Sequence, residues 1–287
     1  MNGFAWSALA LALLLGATFA LTTAGAARWA RATRALMARL DATRLPVALP
    51  RYDAHELDAL PGPVQRYFRA VLTDGQARVT AMNMQHQGDF NLSLDQDRWR
   101  PFRSEQRVVM QRPGFVWNGH IQMFVAVPAL AVHVHDAYIG GVGILKPSVL
   151  GLFALAHRAD PGELARGELM RFVAEAAWYP TTLLPRRGVR WQAVDEDSAQ
   201  LVFTDRDLSV QMLVFFDEAD LIRCIRIEDR GMQVGDSLVP TPWEGLWSDY
   251  AVRGGMRVPM TCEVAWITPQ GRKPYYRGKI TALEFEF

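Results

Sequence analysis

From residue 77 onward, apolar side chains recur at every second position, and this period limits the fold more than any other feature of the chain. Phe115, Trp117, Gly119, Ile121 and Met123 share one face of an extended segment, with Val116, Asn118, His120 and Gln122 on the other. Leu208, Val210, Met212, Val214 and Phe216 make a second such row. Thr281, Leu283, Phe285 and Phe287 make a third, backed by Ala282, Glu284 and Glu286. A period of two is the side-chain repeat of a strand. Turn-forming groups punctuate the rows at Asp195-Glu196-Asp197, Asp205-Arg206-Asp207, Asp217-Glu218, Gly254-Gly255 and Gly271. Short turns between alternating segments predict hairpins in an antiparallel sheet with one wet face. No strand–helix–strand alternation is present, which argues against a parallel sheet.

Helical spacing interrupts this pattern in few places. "ELDALPGPVQRYFRAVL" predicts a short helix with Pro63 in its first turn, where proline is tolerated. Residues 147–157 and 161–178 also read as helical. The expected fold class is therefore α+β: an N-terminal transmembrane helix, then a large, curled, half-barrel-like antiparallel sheet with a few helices packed on one face. Many twisted strands curl, and a curled sheet capped by helices encloses an apolar cavity. Half of the 287 residues are hydrophobic, sufficient for one such core. The 9 Trp and 14 Phe suit strands, pockets and interfaces.

The N-terminus sets the expected location. Residues 4–27 carry no charge and are long enough to cross a bilayer at 1.5 Å per helical residue. Ala24-Gly25-Ala26 has the form of a signal-peptide cleavage site. However, no Lys or Arg precedes the run, and the run exceeds the usual apolar core of such peptides. An uncleaved anchor in the inner membrane is expected, with the bilayer as partner. Arg28, Arg31, Arg34, Arg39, Arg44 and Arg51 follow the run against Asp41 alone, which places the domain in the cytoplasm; a periplasmic domain is the alternative. Residues 1–51 have a net charge of +5 and the remainder −4, so the basic charge lies beside the membrane and no nucleic-acid footprint is seen. Leu45-Pro46-Val47-Ala48-Leu49-Pro50 reads as a linker. The expected divisions are an anchor over 1–27, a basic juxtamembrane helix and linker over 28–50, and one α+β domain over 51–287.

Several groups of residues invite a chemical reading. His133 and His135 share a strand face, a spacing able to hold zinc, but no third ligand accompanies them and exposed polar-face histidines are expected. Asp136, Tyr138, Gly140, Gly141 and Gly143 make a glycine-rich segment before an expected helix. It lacks the order of a phosphate-binding loop, so a tight turn is expected. Cys224 and Cys262 form no metal or redox motif; a buried free thiol is expected for Cys262, and pairing of the two is open. No nucleophile motif is present, and no cofactor or metal is expected. In "GELMRFVAEAAWYPTTLLP", residues 167–185, Arg171 and Glu175 lie one helical turn apart beside the stripe Leu169, Phe172, Val173 and Ala176. The favoured reading is a half-buried ion pair that fixes the helix on the sheet. The other reading turns Arg171 or Glu175 into the cavity, with Trp178-Tyr179-Pro180 as its rim.

The segments "LPGPVQRYF", "DAYIGGVG", "GELMRFVAEAAWYPTTLLP", "PWEGLWSDY" and "YYRGKITALEF" together resemble a widespread bacterial family of unknown function that usually carries an N-terminal membrane segment. The resemblance spans residues 60–287. It implies a fold similar to the lipoprotein-carrier (LolA-like) half-barrels and implies no reaction. It directs attention to Asp136, Tyr138, Arg171, Glu175, Pro180, Trp243, Asp249 and Tyr250. The leading expectation is a membrane-anchored protein that binds an apolar or lipid-like molecule, with Asp136, Tyr138, Arg171, Glu175, Trp117, Trp178, Tyr179 and Trp243 as ligand-binding candidates. The rivals are an enzyme on a membrane-derived substrate, using Glu175 or Asp136 as acid–base and Arg171 as anion clamp, and a scaffold for a membrane protein.

Overall fold

The alternating rows become one antiparallel sheet of 14 strands. The computed structural model describes residues 3–123, 131–235 and 237–287. Helix α1 (Gly3–Asp41) and α2 (Gly62–Val71) precede β1 (Ala81–Asn91), β2 (Trp99–Val109), β3 (Gly114–Gln122), β4 (Ala131–Ile139), β5 (Val142–Val149), β6 (Phe153–Ala154) and β7 (Arg158–Asp160). Helix α3 (Glu163–Ala174) and two 3-10 turns (Glu175–Trp178 and Pro180–Leu183) separate these from β8 (Val189–Ala193), β9 (Ser198–Asp205), β10 (Leu208–Phe216), β11 (Ile222–Val234), β12 (Ser237–Arg253), β13 (Met256–Thr268) and β14 (Gly271–Glu286). The strands run as two meanders, β1 to β6 and β8 to β14, joined where β1 pairs with β14; β7 pairs with β5. Every turn group named from the sequence falls between consecutive strands. Gly140 and Gly141 both have positive φ and close the β4–β5 hairpin, so the glycine-rich segment is a turn and no helix follows it.

The inner face of the sheet carries the main core. Met82, Met84, Phe102, Val108, Phe115, Trp117, Val210, Met212, Val214, Ile225 and Ile227 are buried there against Tyr67 and Phe68 of α2 and Leu169, Phe172 and Val173 of α3. Pro63 sits in the first turn of α2, as expected. Residues 147–157, expected to be helical, are not. Pro147 pairs with Val134 inside β5, and the chain then turns through Leu150 and Gly151 into β6. The second edge of β5 is paired only at Gly143, Ile144 and Leu145 (with β7) and at Ser148 and Val149 (with β6). Pro147 falls between these short partners, where its missing N–H costs no ladder bond.

The second half of α1, which contains the basic helix expected beside the membrane, packs as a layer of the domain. It lies on the outer face of β2, β3 and β4. Leu40 is buried with Val109, Val116 and Ala137. Trp29 Nε1 donates to Asn118 Oδ1 at 2.8 Å, and the Trp29 ring stacks on His135 at 3.7 Å. Thr33 Oγ1 lies 2.7 Å from His135 Nε2. At the far end Arg107 bridges Asp41 (2.9 Å) and Glu286 (2.5 Å). The histidines on this face are thus covered, His135 fully, instead of exposed. Burial first, then the neighbouring His120, lowers the pKa of His133 to about 4. Among the described residues no group of three potential metal ligands occurs, and both cysteines are free and buried.

Candidate ligand-binding cavity

Helix α3 presents two faces. Ala165, Leu169, Phe172 and Val173 pack into the core. Glu168, Arg171 and Glu175, spaced three and then four residues apart, fall on a second face that also turns inward, and all three are buried or nearly so. The chain then tightens into the Glu175–Trp178 turn, and Tyr179 Oη donates back to the Phe172 carbonyl at 2.6 Å, fixing the end of the helix. Pro180 starts the following 3-10 turn.

Arg171 is the centre of a polar cluster between helix and sheet. Its Nε donates to Glu175 Oε1 at 2.7 Å and its Nη1 to Asp136 Oδ2 at 2.6 Å. Gln106, from β2, donates to Glu175 Oε2 at 2.6 Å and accepts from Arg171 Nη2 at 3.4 Å. The guanidinium also stands 4.8 Å from the Phe115 ring centre and 5.3 Å from that of Trp117. Burial works against the charged form of Arg171, but Glu175, Asp136 and Glu168 outweigh it and hold its pKa well above the ordinary value. Glu168 is pushed well above the carboxylate range, by burial first and by Asp136 second. A protonated Glu168 donating to Asp136 supplies a hydrogen to two buried oxygens, Glu168 Oε2 and Asp136 Oδ1, that otherwise have no partner among the described residues.

Beside this cluster lies a cavity of about 200 Å³, lined by Phe90, Trp117, Ile121, Val134, Asp136, Leu145, Arg171, Ala174, Glu175, Trp178, Arg230, Trp243, Trp247, Cys262, Val264, Tyr275 and Tyr276. Its walls are aromatic. Trp178 and Trp247 meet edge to face at 4.8 Å. Trp243 donates to Tyr275 Oη at 2.9 Å and carries Arg230 over its ring at 5.1 Å. Trp117 and Trp243 each lie over the glycine two residues further along their strand, Gly119 and Gly245; a Cβ at Gly245 would stand 3.1 Å from the Trp243 ring. His86 packs on Trp178 at 4.9 Å, and burial, with a lesser push from Arg171, lowers its pKa to about 3.

The cavity has a defined place on the sheet. Phe90, Ile121, Val134, Arg230, Val264 and Tyr275 all sit near the same end of their strands. Helix α1 leaves the domain at that end. Leu40 packs at Gly114, Trp29 at Asn118, and Ala26 and Thr22 border an outer groove with Gln122 and Ala131.

Of the residues singled out from the sequence, Asp136, Arg171, Glu175, Trp117, Trp178 and Trp243 meet at this cavity. Tyr138 and Tyr179 do not line it. Tyr138 Oη donates to Asp205 Oδ2 at 2.7 Å, a strand-to-strand tie, and Tyr179 locks the end of α3. Pro180 lies outside it. Asp249 is exposed and accepts from Thr261, and Tyr250 Oη donates to the Ile222 carbonyl, both away from the cavity. The two readings of Arg171 and Glu175 merge, because the pair ties α3 to the sheet and also lines the cavity. Gln106, Glu168, Arg230, Trp247 and Tyr275 were not foreseen. Glu168 had a sequence signal in its position three residues before Arg171 on the same helix face, and Trp247 and Tyr275 lie inside the segments PWEGLWSDY and YYRGKITALEF.

Fold and cavity define a class: a curled antiparallel sheet that closes an aromatic cavity against a short helix, preceded by a helix long and apolar enough to cross a membrane. Residues 58–285 match the model of a family of unknown function, DUF6920, and the chain belongs to that family, as its motifs suggested. No functionally curated protein matches the sequence. Three solved structures are similar in fold. One is a putative outer membrane lipoprotein-sorting protein domain from Vibrio parahaemolyticus, with 12% identity, TM-score 0.42, and coverage of 78% of this chain and 91% of that one. A second is a LolA superfamily protein from Nitrosomonas europaea, with 8% identity, TM-score 0.38, and coverage of 78% and 93%. The third is a DUF1329 family protein from Desulfovibrio piger, with 10% identity, TM-score 0.41, and coverage of 78% and 92%.

Proposed function

We propose that this protein is a membrane-tethered binding protein that holds an apolar or lipid-like molecule between the sheet and α3. The observation that carries the reading is the cavity itself, with four tryptophans around a space of about 200 Å³. An aromatic cavity with few polar groups at one end suits an amphiphile. Helix α1 supports the tether. Its apolar half extends beyond the domain, and its exit lies at the same end of the sheet as the cavity, so a molecule leaving the bilayer has a short path to the site. Ala24, Gly25 and Ala26 are helical, with Gly25 packed against Leu150 and Gly151, which favours a retained helix over a cleaved leader. The flanking arginines favour a cytoplasmic domain.

Native mass spectrometry after gentle extraction is expected to show a co-purifying lipid-like molecule. Ile121→Trp, which fills the cavity, is expected to release it and to leave a melting temperature that no longer responds to added amphiphile. An empty wild-type protein that gains no stability from any added amphiphile would overturn the reading. For orientation, an alkaline phosphatase fused after Phe287 should be inactive and a fluorescent protein fused there should glow; the reverse moves the domain to the periplasm. The enzyme reading, with Glu175 or Asp136 as acid–base, is favoured by one observation, the raised pKa of the Glu168 carboxyl beside Asp136. Asp136, rather than Glu168, lines the cavity, so that reading requires turnover of a bound ligand that Asp136→Asn abolishes without loss of binding.

A further inference from the structure

The cavity's hydrogen-bonding groups specify the head of its ligand. The indole N–H groups of Trp117, Trp178 and Trp247 are buried and have no acceptor among the described residues, and the same holds for Arg230 Nη1. These tryptophan side chains are 5% exposed or less. Four donors at one cavity without acceptors is a costly arrangement, since each buried unpaired polar group costs about 1–3 kcal/mol. The charges are divided just as unevenly. Arg171 is held between two carboxylates. Arg230 forms no ion pair among the described residues; it lies over the Trp243 ring, and the charged group nearest in effect is Glu168, whose raised pKa it partly offsets. Tyr275, which already accepts from Trp243, stands beside it.

We infer that the cavity takes a single-chain amphiphile with a carboxylate head, the head accepting from Arg230 and the buried indoles and the chain filling the apolar wall at Ile121, Val264 and Leu145. A carboxylate only accepts hydrogen bonds when ionised and pairs with a guanidinium through two of them. An alcohol offers one oxygen and no charge, and an ammonium has no acceptor at all. The cavity volume of about 200 Å³ admits one chain of medium length and excludes a two-chain lipid as a whole.

This inference rests on the binding reading above, and the test separates the two. The full-length chain in peptidiscs is titrated with decanoate, decanol and decylammonium, followed by tryptophan fluorescence and by melting temperature. Decanoate is expected to bind about tenfold or more tighter than decanol, with decylammonium weakest. Arg230→Gln, at a partly exposed position, is expected to remove the acid–alcohol difference, read as the ratio of the two affinities in the same variant. Trp247→Phe keeps one aromatic ring, removes one donor and is expected to weaken decanoate more than decanol. Equal binding of decanoate and decanol, or an undiminished preference in Arg230→Gln, overturns the carboxylate assignment and leaves the binding reading standing. No response to any of the three amphiphiles overturns both.

Discussion

Replacing Arg171 by Leu should be the most damaging single change at the cavity, and the structure sets its size. The guanidinium is the shared partner of Asp136 and Glu175, at 2.6 and 2.7 Å, with side chains only 17% and 10% exposed. Removing it leaves two buried carboxylates facing one another, with Glu168 behind them. Breaking a buried pair from one side costs about 3–5 kcal/mol. A domain of this size loses about 2–4 °C per kcal/mol, so the melting temperature should fall by roughly 6–20 °C. Glu175→Leu is milder, because Arg171 keeps Asp136, although Gln106 Nε2 and Arg171 Nε each lose an acceptor. Its cost is about 1–3 kcal/mol.

Combining the changes tests the cause. Arg171→Leu with Glu175→Leu still strands Asp136, so the double variant should recover only part of the loss. Adding Asp136→Leu removes the last unpaired charge and should recover most of it, since apolar replacement of a complete buried network is often close to neutral. Thermal melts of full-length variants, followed by near-ultraviolet circular dichroism in one detergent, give the comparison. An Arg171→Leu protein melting within about 2–4 °C of wild type, or a Glu175→Leu protein falling equally far, would refute the assignment of Arg171 as the shared counter-ion.

Three further outcomes are expected. His86 is held neutral with a pKa of about 3 against an ordinary 6.5; its contribution is therefore full above pH 6.5 and lost as the pH falls toward 3, by up to about 5 kcal/mol. His86→Leu should flatten the acid limb of the melting profile, and coincident profiles would contradict this. Glu168 has the opposite sign: with its folded pKa raised, its contribution is present below the ordinary 4.5 and lost as the pH rises through the folded value. Glu168→Gln keeps a donor for Asp136 and should melt above wild type at pH 8, where an unchanged or lower value would count against a proton between the two carboxyls. Trp29→Ala removes a buried ring, its stack on His135 and the bond to Asn118; a loss of about 3–5 kcal/mol is expected, and unaltered melting would reduce α1 to a plain tether.

What the sequence could disclose followed from how local each signal was. Period-two rows and turn residues fix strands and hairpins because both depend on neighbours a few residues apart. The closure of the sheet through β1 and β14 has no such signal, since Ala81 pairs with Glu286 across the length of the domain. The cavity divides in the same way. Arg171 and Glu175 were visible as a helical pair, whereas Gln106, Arg230 and Tyr275 reach it from strands far apart in the chain. The reading of 147–157 as helical failed because spacing there ignores pairing, and Pro147 is tolerated only in the gap between two short partner strands.

In α1 the charge pattern and the residue spacing carry different information. Arg28, Arg31, Arg34 and Arg39 drew residues 28–50 toward a membrane-surface reading. Yet Trp29, Thr33, Leu36, Met37 and Leu40 recur at helical spacing between those arginines, a stripe that needs an apolar or hydrogen-bonding surface of its own. The structure supplies it on the outer face, where Asn118, His135, Val116 and Ala137 accept the stripe and the arginines stay at its margins. A helix continuous from Gly3 to Asp41 that is docked along half its length cannot swing freely as a linker would. In the membrane-tethered reading the domain is therefore held at a set angle to the bilayer, and the end of the sheet that bears the cavity is the end held nearest to it.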